Sequence, residues 1–410
     1  MQKAIAIIGM NFGDEGKGHI TNFLSDEKTL NIRFNGGAQS AHAVFLNDGR
    51  NHIFHQFGSG SMKGARTLFG SHLIVNPIFF VAEWAALSDK TSLREVFIDP
   101  RCRITTPYDM FINEFSSYWR KKNDTTGIGI NETVERSQFR QLRICMRDLI
   151  DKDEKNLISI LKKIKEEYVP WRIQELKLPY NYFQGYLSKM SVSINQIEDV
   201  FINTIKSMLE FVVVWPDYNL IDRYLKKERD RKIVFEGAQG FRLDQNRISL
   251  MPYLTRSNTG LQNVFDCLKN VKTKISLDVY LVTRSYLTRH GEGPLWNEVE
   301  KPYDNVEEPT NPNNPYQGKM RYGYLNKTWY DEAINETRNY IKRNYSKSIL
   351  DIKLSVAFTC LDQIDNNGII YSIDSEKDFI VGSINDFSEI ELISNSNVET
   401  GITKLNKKSP

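Results

Sequence analysis

The chain opens with a short apolar run that leads directly into a glycine-rich loop. Residues 5–18 read IAIIGMNFGDEGKG, and the apolar part ends at Ile8. After the loop, Ile20, Phe23 and Leu24 recur at the spacing of a helix with one apolar face. A buried strand followed by a glycine loop and a helix directs backbone N–H groups toward an anion. This order predicts an α/β fold that begins with a phosphate-binding loop.

The loop differs from a Walker A sequence around its lysine. The pattern GxxxxGK[ST] requires glycine at 11 and serine or threonine at 18, where the chain has Asn11 and Gly18. Lys17 can still pair with phosphate oxygens. A carboxylate such as Asp14 repels a polyphosphate unless Mg²⁺ lies between them or the carboxylate accepts a proton from the substrate. We therefore predict one of these roles for Asp14; the alternative is a surface turn rich in glycine and aspartate.

The composition limits the class of protein. A chain of 410 residues, 40% of them hydrophobic, can fill the core of one large α/β domain or of two ordinary ones. Its 54 basic and 51 acidic residues give a net charge of +3, so we expect small-molecule partners and no nucleic acid. Four widely spaced cysteines without a CxxC pair predict neither a disulfide framework nor a zinc site.

Hydropathy and the start of the chain bear on location. No stretch approaches the roughly 18 uninterrupted apolar residues that a membrane-spanning helix needs. The chain starts with a strand pattern rather than with a charged leader and an apolar segment. We therefore expect a soluble cytoplasmic protein that makes no membrane contact.

Strand-like and helix-like segments alternate along the chain. This alternation is typical of a mostly parallel sheet with helices on its faces. The strand-like runs are residues 4–8, 233–235, 279–282 and 354–359.

Two regions interrupt this alternation. Residues 151–212 are mainly helical, with an apolar stripe beside a lysine and glutamate face. We interpret a region of about 151–230 as an insertion into a single domain that spans 1–410. Residues 304–317 are rich in Asn, Pro and Glu and are predicted to form an exposed loop.

Short blocks of glycine and polar residues are spread between residues 13 and 362. They are GDEGKG (13–18), NGGAQSAH (35–42), TTGIG (125–129), FEGAQG (235–240) with LTRSNTG (254–260), TRHGEGP (288–294), GYLN (323–326) and TCLD (359–362). In this order they resemble the signature segments of the adenylosuccinate synthetase family, whose members join aspartate to the 6-position of IMP at the expense of GTP. The resemblance implies that family's P-loop-like fold and a homodimer.

The resemblance also implies catalytic roles. Asp14 matches the aspartate that deprotonates N1 of the purine and binds Mg²⁺, and the carbonyl of Ala41 replaces that of a family glycine at the metal. The purine O6 then attacks the γ-phosphate, and the amine of aspartate displaces the phosphoryl group. His42 matches the histidine that donates to the γ-phosphate, while Lys17 neutralises phosphoryl oxygens. The other first-loop residues expected to bind phosphate are Gly13, Glu15, Gly16 and Gly18.

The nucleotide pocket follows from the same resemblance. Thr126 and Thr255 match the hydroxyls that bind the 5′-phosphate of the purine nucleotide. Gln239 matches the side chain placed along the purine, and Gln39 occupies the position of a family asparagine. Asp362 matches the carboxylate that recognises the guanine of GTP.

An arginine that crosses from the partner subunit is also implied. The corresponding stretch, INETVERSQFRQLR, is shorter and altered here. Arg140 is the first candidate and Arg136 the second, and either is alternatively an ordinary surface charge.

The loop expected to hold the amino acid and the ribose departs from the family. Where the family has a run of arginines, residues 316–323 read YQGKMRYG, which leaves Gly318, Lys319 and Arg321. Lysine cannot reproduce the planar fork of arginine, so the binding geometry is expected to differ. His290 replaces a usually apolar residue and is predicted to contact the sugar.

Substrate identity therefore stays open among alternatives. Cys360 replaces a lysine beside the expected guanine site, so GTP is favoured but ATP or a deoxynucleotide remains an alternative. Asp14 favours IMP or dIMP, because phage relatives that use dGMP often replace this aspartate; a phage origin would mean the host cytoplasm. The non-enzymatic alternatives are an inactive nucleotide-binding relative and a P-loop switch protein, and the latter lacks a Ser or Thr after Lys17.

Overall fold

The computed structural model describes residues 2–121, 125–151, 153–188, 196–215, 219–228, 230–308, 318–344, 346–364, 368–373, 378–395 and 401–405. The strands are β1 Gln2–Gly9, β2 Thr29–Arg33, β3 His42–Phe45, β4 Asn51–Phe54, β5 Arg66–Phe69, β6 Ile74–Val75, β7 Val96–Ile98, β8 Arg103–Ile104, β9 Val212–Val214, β10 Lys232–Gly240, β11 Ile275–Arg284, β12 Leu287–Arg289, β13 Glu298–Val299, β14 Arg321–Gly323, β15 Leu325–Asn326, β16 Ile349–Thr359, β17 Ile369–Ser372, β18 Phe379–Gly382, β19 Ile390–Ser394 and β20 Ile402–Lys404. The helices are α1 Lys17–Phe23, α2 Pro77–Ser88, α3 Pro107–Arg120, α4 Ile130–Arg136, α5 Asp148–Asp151, α6 Glu154–Lys163, α7 Val169–Glu175, α8 Tyr180–Ser188, α9 Ile197–Leu209, α10 Leu220–Lys227, α11 Gln262–Leu268 and α12 Lys327–Arg343.

The central sheet has the strand order β20-β19-β16-β11-β1-β10-β2-β5-β7-β9. Each neighbouring pair is parallel except β19 and β20 at one edge. In the middle, Ile5 of β1 lies opposite Val234 of β10 and Asp278 of β11. Because the carboxyl ends of parallel strands meet at one edge, the loops after β1, β10, β11 and β16 come together there. The prediction of a mostly parallel sheet flanked by helices is confirmed.

Burial on both faces explains the unbroken apolar run of β1 at residues 4–8. Ala6 and Ile8 belong to a core that includes side chains of α10, α11 and α12. Ile5 and Ile7 face the other way and pack with Ile20 of α1. Successive side chains of a strand point to opposite faces, so a strand that is covered on both sides reads as a continuous apolar run.

The helical region packs into a core that it shares with α2, α3 and strands β5 and β7. Helices α5 to α9 span residues 148–209, and α6 buries Leu157 and Leu161 in that core. After α9, β9 pairs with β7 and so becomes an edge strand of the main sheet. The predicted insertion of about 151–230 therefore includes a strand of the main sheet, and the last helix before that strand ends at Leu209.

The stretch at 304–317 was predicted to be an exposed loop, and its described part, 304–308, is a loop in which Asp304, Asn305 and Glu307 are exposed. Val306 is only 6% exposed. Glu308 forms an ion pair with Arg284, and both side chains are 9% exposed. The prediction is confirmed for the three exposed residues and is wrong for Val306 and Glu308, because these two side chains find partners that local composition does not reveal. The rest of the stretch lies outside the described residues.

Two further features bear on the expected class of protein. Within the described ranges, no helix has the length and apolar content to cross a membrane. All four cysteines are free thiols.

Candidate active site

The first loop connects β1 to α1 with an unusual backbone. Gly13 and Gly16 have φ angles of 102° and 83°, and Asp14 between them has a φ of 57°. The left-handed region is unfavourable for a non-glycine residue, so the neighbours of Asp14 must hold it there. The carboxylate of Asp14 is 21% exposed, and the residue lines a cavity in front of the loop.

Glu15 fills the interior of this loop. Its Oε1 accepts the N–H groups of Asn11 at 2.8 Å and Gly13 at 3.0 Å, and its Oε2 lies 2.7 Å from Nζ of Lys17. The side chains of this pair are each 2% exposed. Glu15 was expected to bind phosphate, whereas its carboxylate is occupied within the protein. Because the backbone N–H groups turn inward, a carboxylate can hold the loop and orient Lys17.

Two glycines make room for the Glu15 carboxylate. A Cβ on Gly9 would lie 2.3 Å from Oε2 of Glu15, and a Cβ on Gly240 would lie 2.7 Å from Oε1 and 2.2 Å from the carbonyl oxygen of Asn11. Such distances are far below van der Waals contact, so these strand ends require glycine.

We expect Gly240→Ala to lower the free energy of unfolding by about 2 kcal/mol, because the new methyl group overpacks the loop. The matched control is Gly185→Ala on α8, where a Cβ would meet no atom within 4 Å. In a helix that change should be neutral or stabilising by up to about 1 kcal/mol. Urea denaturation measures both. Equal effects of the two substitutions would contradict the close approach at Gly240.

His42 is oriented by a buried carboxylate. Its Nδ1 lies 2.6 Å from Oε1 of Glu236. The same carboxylate accepts the Ser59 N–H at Oε2 and the Ser59 hydroxyl at Oε1. Burial and the Arg33 guanidinium lower the pKa of His42 to about 4, which outweighs the opposing effect of Glu236. Burial opposes ionisation of Glu236, but Arg33 and the His42 and Ser59 bonds lower its pKa to about 2. At neutral pH a neutral His42 therefore donates Nδ1–H to an ionised Glu236.

These pKa values predict acid sensitivity with a definite sign. The unfolded chain protonates His42 near pH 6.5, whereas the folded protein does so near pH 4. The stabilising contribution is therefore complete above pH 6.5 and is lost as the pH falls toward 4, by about 3 kcal/mol in total. Guanidinium denaturation between pH 7 and 4 measures it. The slope in this window should be smaller in His42→Asn than in the wild type; an unchanged slope would contradict the assignment.

The blocks of the sequence meet around this loop through specific contacts. Asn35 exchanges hydrogen bonds with the backbone of Ala238, at 2.7 and 3.1 Å, and donates to the carbonyl of Asn258 at 3.0 Å. Gln239 has a φ of 63°, and its Oε1 lies 3.6 Å from the position of a Cβ on Gly13. The second block is therefore joined to both segments of the fourth, FEGAQG and LTRSNTG, and FEGAQG reaches the first block.

The side chain of Gln39 has unused hydrogen-bonding capacity. Both its amide oxygen and its amide nitrogen are buried without a partner among the described residues. Buried polar groups are normally hydrogen-bonded, so this pair is suited to a ligand.

The two threonines expected at the 5′-phosphate lie on separate segments. Thr126 precedes α4, and Thr255 follows two short 3-10 turns after β10. Both residues are half-buried. An ion pair between Glu135 of α4 and Arg256 links the two segments. This link holds the threonine-bearing segments to each other.

The two candidate crossing arginines have different environments. Arg136 is fully buried, with Nε 2.8 Å from Asp109 and further bonds to the carbonyls of Leu142 and Ile104. It cannot reach a partner subunit, so the second candidate is wrong because the residue is a structural ion pair. Arg140 is exposed at the start of a short 3-10 turn and stays the candidate.

Arg321 is engaged within its own region. Its Nε and Nη2 pair with Glu298, and Nη1 donates to the carbonyls of Gly291 at 3.1 Å and Gly293 at 2.8 Å. The expectation that it holds the amino acid is not met in this arrangement, because every nitrogen of the fork already has a partner. Lys319 is exposed, and Gly318 beside it is half-buried with a φ of 69°.

His290 lies beside Asp14, with its Nε2 3.6 Å from Oδ2. Its Nδ1 is buried without a partner among the described residues. His290 therefore faces the first loop, whereas the sequence analysis predicted only a contact with the sugar.

A cavity of about 80 Å³ lies where these elements meet, and Asp14, Lys17, Ala41 and His42 all line it. Cys360, with a φ of 60°, and Gln363 close the other side, while Asp362 between them is exposed. The described residues contain no cluster of three His, Cys, Asp or Glu side chains that could hold a metal by themselves. One carboxylate and one carbonyl together with substrate phosphates suit Mg²⁺, which is usually bound in this way.

Sequence reasoning missed Glu236 and Arg284 as site residues. Glu236 lies in the middle of β10, directly after the apolar residues 233–235, and Arg284 is the last residue of β11, after the apolar run 279–282. A charge is costly there unless it is paired, and this was the available signal.

Comparisons with known proteins agree with this arrangement. The family model described as adenylosuccinate synthetase matches residues 6–342. The adenylosuccinate synthetase of Borrelia turicatae is 28% identical over 312 residues, which is 72% of this chain and 65% of that protein. That of Lactobacillus acidophilus is 27% identical over 383 residues, 91% of this chain and 82% of the relative. The chain thus matches slightly less than two thirds of the first of these relatives.

Two solved structures share the fold. The fully ligated adenylosuccinate synthetase from Plasmodium falciparum has a TM-score of 0.69 at 18% identity, covering 98% of this chain and 99% of that one. The second is the succinoaminodeoxyadenylate synthetase of cyanophage S-2L, bound to dGMP and to dATP as an energy donor. It has a TM-score of 0.57 at 13% identity, and the match covers 98% of this chain and 95% of that one.

Proposed function

The chain belongs to the adenylosuccinate synthetase family, and from this premise we propose that it is a ligase that joins L-aspartate to C6 of a 6-oxopurine nucleoside monophosphate. A nucleoside triphosphate, GTP by preference, drives the reaction. The observation that carries the proposal is that Asp14, Lys17 and His42, from two separate blocks, line one cavity. An acid, a fixed cation and an oriented imidazole are the groups that this chemistry needs.

Asp14 acts first in the proposed mechanism. Its carboxylate accepts the N1 proton of the purine, and the electron pair moves onto O6. O6 forms a bond to the γ-phosphorus while the bond from that phosphorus to the β,γ-bridging oxygen breaks, which releases the nucleoside diphosphate. The amine of aspartate then bonds to C6, the C6–O bond breaks, and phosphate leaves with that oxygen.

Lys17 and His42 stabilise the charge on the transferred group. Glu15 orients the Lys17 ammonium, which neutralises phosphoryl oxygens. The negative triphosphate raises the low pKa of His42, so its Nε2 takes up a proton and donates to the γ-phosphate while Nδ1 stays on Glu236. Asp14 and the Ala41 carbonyl would hold Mg²⁺ together with substrate phosphates, and the ion would supply further neutralisation of charge.

The purine nucleotide is proposed to be IMP or dIMP. Gln39, with its unpartnered amide, and Gln239 contact the nucleotide, and Thr126 and Thr255 hold the 5′-phosphate. Asp14 supports a 6-oxopurine whose N1 carries a proton.

The alternative substrate pair is dGMP with ATP or dATP. It is favoured by the fold shared with the phage enzyme that was solved with dGMP and dATP. The loss of a family lysine at Cys360 and the exposure of Asp362 also leave the donor base less tightly specified.

Lys319 is proposed to contact the carboxylates of aspartate, since Arg321 is engaged with Glu298. We further propose a cytoplasmic homodimer in which Arg140 reaches the partner's nucleotide phosphate. Sedimentation of the wild type and of Arg140→Ala, with KM for the nucleotide, tests this arrangement.

A substrate panel tests the function. IMP, dIMP, GMP and dGMP are each incubated with Mg²⁺, aspartate and GTP, ATP or dATP, and products are identified by mass. A succinyl adduct of IMP or dIMP supports the proposal, and an adduct of dGMP alone supports the alternative. Nucleotide binding without any product identifies an inactive binding relative and overturns the proposal.

A further inference from the structure

Successive carbonyl groups of the first loop are held by side chains from three other segments. The bonds run from Thr288 Oγ1 to Gly13 O at 3.3 Å, from Arg284 Nε to Asp14 O, and from Thr359 Oγ1 to Glu15 O at 2.9 Å. These donors come from β11 and β16, which belong to the central sheet and end beside the loop, and from β12, which belongs to the small sheet β12-β14-β13. They fix the direction of the peptide groups on both sides of Asp14.

Arg284 is the charged member of this set, and it acts on the strained residue itself. Asp14 has a φ of 57°, which costs free energy for a residue with a Cβ. A guanidinium bond to a carbonyl is charge-assisted and stronger than a hydroxyl bond. The bond from Arg284 can therefore offset the free-energy cost of the backbone conformation that keeps the Asp14 carboxylate at the cavity.

The rest of the Arg284 side chain is fixed by a second set of bonds. Both terminal nitrogens pair with the carboxylate of Glu308, and Nη1 also donates to the hydroxyl of Tyr286 at 2.8 Å. The guanidinium is 9% exposed. A side chain held at both ends cannot move away from Asp14 without breaking the buried pair.

This network also reaches the segment expected at the donor nucleotide. The hydroxyl of Tyr286 donates to Oε1 of Gln363 at 2.5 Å, and Nε2 of Gln363 donates to the carbonyl of Glu307 at 3.1 Å. Gln363 directly follows the TCLD block. Arg284 therefore lies between the loop that carries Asp14 and the segment expected at the donor nucleotide.

We propose that Arg284, anchored by Glu308, is a positioning residue that holds the catalytic carboxylate of Asp14 in its strained, cavity-facing conformation. This rests on the proposed role of Asp14 as the base. A buried ion pair is weak evidence for stability, because well-packed apolar replacements are often neutral. We therefore expect the contribution of the Arg284–Glu308 pair to be seen in kcat.

Arg284→Met tests the proposal. We expect kcat to fall by about 10²-fold, since a misplacement of about 1 Å can cost that much, while KM for the purine nucleotide changes less than about threefold. Arg284→Lys should recover part of kcat, because an ammonium still donates one bond. In the Arg284→Met background, Glu308→Gln should add no further loss, whereas alone it lowers kcat.

The matched control is Arg242→Met. Arg242 is also a buried arginine paired with a glutamate, Glu332, but its side chain contacts α12. It should lose similar stability and keep kcat within about threefold, because its guanidinium pairs with Glu332 and makes none of the three side-chain bonds to the loop carbonyls. Equal losses of kcat in the two methionine variants, or a loss confined to KM in Arg284→Met, would overturn the proposal.

Hydrogen exchange of the amides at 10–16 gives a readout that does not need turnover. Exchange should be faster in Arg284→Met than in wild type or Arg242→Met, because the loop loses its anchor. Unchanged exchange would also overturn the proposal. If the wild type makes no product with any nucleotide but the exchange differs as expected, the proposed function fails and the anchoring of the loop stands.

Discussion

Asp14→Asn is expected to lower kcat for ligation by at least about 10³-fold while the protein stays folded. Asparagine has the same shape but cannot accept the N1 proton, and general-base catalysis is worth about 10² to 10⁴. Loss of the carboxylate also weakens Mg²⁺ binding, which adds to the effect. Product formation by mass, with nucleotide binding followed by calorimetry, separates lost chemistry from lost affinity.

The control for this change is Asp48→Asn. Asp48 is 51% exposed and pairs with Arg50 on the hairpin between β3 and β4. We expect kcat within twofold of the wild type, as for most surface changes. Turnover by Asp14→Asn above about a tenth of the wild-type rate would show that another group accepts the proton.

Lys17→Met is expected to damage both folding and turnover. It leaves the Glu15 carboxylate, 2% exposed, without its cation, and breaking a buried pair costs about 3 kcal/mol. It also removes the cation that is proposed to neutralise the γ-phosphate, which should make ligation undetectable in a standard assay. Urea denaturation and product formation measure the two losses separately.

A double variant distinguishes these two consequences. Glu15→Gln combined with Lys17→Met removes the uncompensated charge, so most of the lost stability should return. The amide oxygen of glutamine can still accept the N–H groups of Asn11 and Gly13. Turnover should not return. Recovery of turnover together with stability would show that Lys17 serves only the fold.

Much of the fold could be predicted from the sequence because it depends on local patterns. The apolar runs of β1, β10, β11 and β16 are buried on both faces, and such strands carry an unbroken signal. β9 also lies in an apolar run, residues 211–215, but this run is short and directly follows the helical region, so its strand was not predicted. Val306 and Glu308 were misjudged because their partners are distant in the sequence.

The candidate site also has a part that local sequence patterns predict and a part that they do not. Glycine spacing and the ordered blocks identified Asp14, Lys17 and His42 as neighbours. The partners of a charged side chain, however, are chosen by contacts between distant strands. Glu15 turns inward, Arg321 is engaged by Glu298, and Arg136 is buried, and none of these pairings follows from spacing.

The sequence by itself determined the family, the mostly parallel sheet and the residues that gather at its carboxyl edge, because each depends on short-range spacing and on order along the chain. Only the tertiary structure decided which of those charged groups face the cavity and which are paired with other groups of the protein. The physical reason is that a buried charge must find an opposite charge or a donor. That partner comes from whichever strand end lies beside it in the fold.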